Sequence, residues 1–110
     1  MEFERRDSRR IPFKGYVNRV QGGIATICRA VNLSRTGICF DRIAGPVKGH
    51  GEVISVEFQL PTSEKTLVAR GRAVNTGNGR VRVRFTSISP EHRAMIGGYI
   101  DSARIVLQAY

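Results

Sequence analysis

Two short clusters near the front of the chain hold residues whose types and spacing suit ligand chemistry. The first is Arg5-Arg6-Asp7-Ser8-Arg9-Arg10, an R-R-x-x-x-R pattern. Each guanidinium is a planar fork that can bind phosphate bidentately or pair with the O6 and N7 edge of guanine. The second is Asn32-Leu33-Ser34-Arg35-Thr36-Gly37, an N-x-S-x-x-G pattern. Asn32 and Ser34 can brace a turn and also reach base edges or phosphate oxygens. Gly37 permits a positive φ or a close backbone approach. Together the clusters describe a grip for a small, anionic, purine-bearing ligand. No nucleophile–base pair or paired acids accompany them, so binding is expected rather than catalysis.

The two patterns carry unequal weight. In so arginine-rich a chain, R-x-x-x-R is expected about twice by chance. It occurs at Arg5/Arg9, Arg6/Arg10 and Arg80/Arg84. The second pattern is expected by chance in about one such chain in twenty. Their order sharpens the reading further. The first precedes Ile11-Pro12 and a strand-like run, and the second closes the strand after it.

The rest of the composition narrows the field. The 110 residues allow one domain with a modest core, and 18 basic against 9 acidic residues leave a net charge of +9. Of the basic residues 15 are arginine and 3 lysine. That excess favours an acidic partner recognised by planar forks, although a biased genome composition would produce the same excess. No apolar run approaches the ~20 residues of a membrane span. No signal peptide is evident, so a cytoplasmic location and no membrane insertion are expected. Cys28 and Cys39 read as buried, reduced thiols. His50 and His92 are isolated, and no metal-ligand spacing or cofactor motif is present.

The elements that must position the clusters are mostly strands. Residues 1–10 read as a polar tail that is mobile without a partner, and residues 11–110 as the folded domain. Strand-like runs cover Ile11 to about Val20, Ile24 to Leu33, and Ile38 to Phe40, with turns at Gln21-Gly22-Gly23 and Ser34–Gly37. Asp41 to Gly51 reads as a loop. Ile54, Val56, Phe58 and Leu60 then alternate with more polar neighbours, the period of a half-buried strand. Leu67–Asn75 and Arg80–Phe85 read as a hairpin joined by Gly77-Asn78-Gly79. Ser89 can cap a helix over about 89–108, with Pro90 in its first turn and Glu91 beside its positive end. Gly97-Gly98 inside that helix predicts close packing against the sheet. Six strands and one helix make a small antiparallel β-barrel with a helix across one end. Arg80, Arg82 and Arg84 alternate and so share one face, read here chiefly as a solvated face. Arg70 and Arg72 share another face.

At this point the chain resembles the PilZ family, whose members carry R-R-x-x-x-R before the first barrel strand and [DN]-x-S-x-x-G after the second. Arg5, Arg6 and Arg10 match the first motif, and Asn32, Ser34 and Gly37 the second. The hairpin, the Ser-Pro-Glu helix start and the C-terminal helix fall where the family has them. The resemblance implies a six-stranded antiparallel PilZ-type barrel with a C-terminal helix. It also implies a bacterial, non-enzymatic receptor for cyclic di-GMP that signals to an unidentified protein partner. It places the tail over ligand held on the barrel. An arginine at the position of Arg5 accompanies an intercalated ligand dimer in this family, so two stacked molecules per site are expected. Arg35 is a further candidate, able to stack on a guanine face, or else an exposed turn arginine. Two other readings stay open at this stage: a basic barrel that binds nucleic acid, and a protein adaptor without ligand. The first lacks the aromatic residues that single-strand binders interleave with arginine.

Overall fold

The computed structural model describes residues 10–43 and 52–109, with side chains described as far as Ala103. Among the described residues seven strands and one helix follow in order. They are β1 (Ile11–Pro12), β2 (Tyr16–Gln21), β3 (Ile24–Leu33), β4 (Gly37–Arg42), β5 (Val53–Gln59), β6 (Thr66–Gly77), β7 (Arg80–Ile88) and α1 (Pro90–Ala109). All strand pairings are antiparallel. Neighbours run β3-β2-β5-β6-β7-β4, and β4 returns to β3, so six strands close into a barrel. The short β1 lies beside the far end of β3 as an extra strand. The expected barrel and C-terminal helix are therefore present.

The first strand is broken where the sequence predicts a continuous run. Ile11 pairs with Leu33 and Pro12 with Asn32, whereas Tyr16 pairs with Arg29. Between them Phe13 N–H donates to the Val31 carbonyl at 3.1 Å, and Ala30 N–H to the Gly15 carbonyl at 2.8 Å. The N-terminal side thus carries one residue more than β3 across the same span, which is a bulge. Its effect is to turn Phe13 fully into the core. Three other boundaries also differ from expectation. Asp41 and Arg42 belong to β4 rather than to a loop, because Asp41 pairs with both Arg29 and Arg80. The β6–β7 hairpin is longer at both ends. Its turn has positive φ at Asn78 (56°) and Gly79 (79°), as the Asn-Gly step requires.

Alternation fills the barrel. Ile54, Val56 and Phe58 from β5, Leu67, Ala69 and Ala73 from β6, and Val81 and Val83 from β7 all point inward and are buried. Leu33, Ile38 and Phe40 complete the wall. The helix closes one end. Ile96 and Ile100 are buried, and Met95, Tyr99 and Ala103 pack beside them, the 3–4 spacing of one helical face. Phe13 is the hinge of this seal, in edge-on contact with Phe58 (5.8 Å between centroids) and Tyr99 (6.2 Å). The helix start is capped as expected, with His92 N–H donating to Ser89 Oγ at 3.1 Å. The His92 ring holds it to the sheet, its Nδ1 lying 3.2 Å from the Val68 amide nitrogen.

Gly97 and Gly98 need a different account from close helix–sheet contact. A Cβ on Gly97 would lie 2.5 Å from the Arg35 guanidinium, while one on Gly98 would meet nothing within 4 Å. Gly97 makes room for a side chain of the Ser34–Gly37 turn, and Gly98 contacts nothing that explains it. Gly98→Ala is accordingly expected to stabilise the protein by about 0.5–1 kcal/mol, the gain in helix propensity. Gly71→Ala should instead destabilise it by about 1–3 kcal/mol, because its Cβ would fall 2.2 Å from the Arg84 carbonyl oxygen. Urea unfolding midpoints of the two variants, shifting in opposite directions, check both.

Candidate functional site

The site is built where strand ends meet. β1 pairs with the end of β3, so Arg10, one residue ahead of β1, arrives beside Asn32. Asn32 sits near the end of β3, Ser34 to Thr36 make the turn, and Gly37 opens β4. β4 in turn pairs with β7, setting Gly37 opposite Arg84 and Cys39 opposite Arg82. These residues line one recess of about 350 Å³ on the outside of the barrel: Arg10, Asn32, Ser34, Thr36, Gly37, Ile38, Cys39, Arg82, Val83 and Arg84. Every described member of the two motifs is there. Arg5 and Arg6 lie outside the described residues.

The turn is held by one hydroxyl. Ser34 Oγ accepts from the Thr36 amide at 3.2 Å and the Gly37 amide at 3.1 Å. Its proton has the Gly37 carbonyl (3.3 Å) or the Thr36 hydroxyl (3.3 Å) to go to. The Ser34 amide closes the turn on the Gly37 carbonyl at 2.9 Å. Ser34 is only 5% exposed, so this network sits beneath the recess rather than in solvent. Gly37 has no positive φ. Its requirement is space, since a Cβ there would lie 2.3 Å from the Val83 carbonyl oxygen. The motif glycine therefore lets β4 lie against β7, and with it brings Arg82 and Arg84 to the motif turn.

Charge decides what the recess suits. Among the described residues Arg10, Arg82 and Arg84 line it and no carboxylate does. Among the described residues none of these three guanidiniums makes an ion pair. Arg80, the third residue of the same strand face, differs: its Nε and Nη2 donate to Asp41 at 2.8 and 3.1 Å. That pairing holds the Asp41 carboxyl below its ordinary range. Cys39 is buried at the floor, and burial pushes its thiol up against the opposing pull of Arg80, Arg10 and Arg82. It is a neutral wall atom at physiological pH, and like Cys28 it is a free thiol. Among the described residues no cluster of His, Cys, Asp or Glu is placed to hold a metal ion, and no helix is long and apolar enough to cross a membrane.

Arg35 goes elsewhere. Its Nη2 lies 2.6 Å from Asp101 Oδ1 on α1, and its guanidinium lies over Gly97. It does not line the recess. The residues that sequence reasoning passed over are Arg82 and Arg84. Their alternation was the visible signal, but only the pairing of β7 with β4 shows which site that face borders.

Comparisons with known proteins bear on the family and the fold. The family model described as the PilZ domain matches residues 4–102. Among solved structures, the Bacillus subtilis inhibitor of motility superposes with a TM-score of 0.70 at 15% identity, over 86% of this chain and 49% of that one. The chain thus spans about half the length of that protein. The PilZ domain of CeSA from a cellulose-synthesizing bacterium gives 0.65 at 20% identity, over 81% and 91% of the two chains. An uncharacterized Legionella protein gives 0.58 at 11% identity, over 91% and 98%. No curated protein matches significantly.

Gly37→Ala is expected to push β4 away from Val83 and cost about 1–3 kcal/mol of stability. Ser34→Ala should cost about 1 kcal/mol, because two amides lose their acceptor. Chemical denaturation of each purified variant measures both. Equal stability of wild type and Gly37→Ala would show that the close approach is not needed.

Proposed function

The chain belongs to the PilZ family, and on that premise we propose that it is a receptor for cyclic di-GMP. PilZ domains are in general binding and adaptor domains for this second messenger rather than enzymes. The observation that carries the reading is that Arg10 from one motif and Asn32, Ser34 and Gly37 from the other line a single recess. Cyclic di-GMP is a dianion bearing two guanines. A recess with three arginines, a half-buried carboxamide and, among the described residues, no carboxylate matches both halves of that chemistry, since arginine forks suit phosphate and the guanine edge alike.

In this reading Arg6 and Arg10 are the grip and Arg5 favours a stacked pair of ligands. Asn32 supplies a polar contact and Ser34 shapes the turn beneath it. Binding draws residues 1–10 over the ligand and changes the surface shown to a protein partner, an order–disorder switch. Arg35, engaged by Asp101, has to leave that ion pair before it can stack on a base.

Isothermal titration tests the proposal. Binding at two cyclic di-GMP molecules per chain is expected, and a folded sample that gives no heat at tens of micromolar ligand rejects it. Arg10→Ala removes charge-assisted hydrogen bonds worth about 1.5–3 kcal/mol. That is a roughly ten- to hundredfold weaker Kd. Arg6→Ala should behave alike. Hydrogen exchange of residues 1–10 should slow when ligand is added, and unchanged exchange with saturated ligand would refute the tail movement.

A further inference from the structure

Beyond the two motifs, the recess has a wall that neither motif supplies. Arg82 and Arg84 follow one another on the outer face of β7, about 7 Å apart along the strand. The register sets Arg82 in one cross-strand row with Cys39 and Asn32, and Arg84 in the next row with Gly37. The strand that carries them is held from both sides where side chains would not fit. A Cβ on Gly37 would meet the Val83 carbonyl oxygen at 2.3 Å, and one on Gly71 the Arg84 carbonyl oxygen at 2.2 Å. Arg80, two residues away on the same face, is neutralised by Asp41. Among the described residues no such partner meets Arg82 or Arg84. Two like charges left together at a recess favour an anion between them.

We infer that Arg82 and Arg84 form a barrel-side phosphate subsite of the recess. This rests on the cyclic di-GMP reading above and adds where the ligand's charge is met. Arg10 approaches from the β1 side, and Arg82 and Arg84 approach from the β7 side. A ligand with phosphates on two sides of a small ring engages both walls. A ligand with a single phosphate engages only one. The β7 wall thus selects for a doubly charged ligand, independently of guanine recognition by the motifs.

The experiment compares Arg82→Gln, Arg84→Gln and the double variant with wild type by titration with cyclic di-GMP. Arg70→Gln serves as the control for net charge. Arg70 is exposed on the neighbouring strand β6 and does not line the recess. Each β7 variant is expected to weaken binding about tenfold, and the double variant further, while Arg70→Gln stays within about twofold of wild type. Binding should also depend less steeply on salt in the double variant, since fewer charges are screened. Because both side chains are exposed, urea midpoints should be unchanged. Wild-type affinity in the double variant overturns the subsite while leaving the receptor reading intact. Equal weakening by Arg70→Gln overturns it too, by showing a general field effect. No binding by wild type removes the receptor reading and the subsite together.

Discussion

The pairing of β4 with both β3 and β7 is the contact on which the molecule depends. Without it β3 and β7 would each present a row of unpaired backbone groups, and the inward-facing residues would line an open sheet. The pairing is possible because Gly37 lacks a side chain where β4 meets the Val83 carbonyl. The Ser34 hydroxyl sets up the same junction by holding the preceding turn through the Thr36 and Gly37 amides. Closure of the barrel and formation of the recess are one event. The residues that complete the wall are also those that place Asn32, Cys39 and Arg82 in a row.

The arginines are distributed unevenly around this junction. Arg35 and Arg80 are paired with Asp101 and Asp41, and both pairs tie elements together: the turn to α1, and β4 to β7. The Asp41 carboxyl, held below its ordinary range by Arg80, keeps its pair at neutral pH and gives it up as the pH falls through that lowered value. Both pairs are largely exposed, so each contributes little to stability. The arginines at the recess repel one another without such partners among the described residues, and an anionic ligand offsets that repulsion. This arrangement favours a binding surface over a purely structural one.

Much of the architecture was legible because it is local. Alternation over Ile54–Leu60 marks a half-buried strand by itself, the Asn78-Gly79 step demands a tight hairpin, and Ser89-Pro90-Glu91 begins a helix. The misread details are those that depend on a neighbour. The break between β1 and β2 exists because Phe13 has to reach Phe58 and Tyr99. Asp41 and Arg42 extend β4 because β3 and β7 offer them partners. Gly97 is small because Arg35, sixty-two positions earlier in the chain, lies against it.

The chain by itself determined the strand and helix periods, the excess of guanidinium groups and the two motifs, since these follow from residue type and short-range spacing. The tertiary structure decided which arginines face the recess. Arg35, inside a motif, is drawn to Asp101, whereas Arg82 and Arg84, nearly fifty positions later, stand at the recess. Neighbours across a barrel are set by register, and register arises from non-local hydrogen bonding between strands and from which side chains the core accepts.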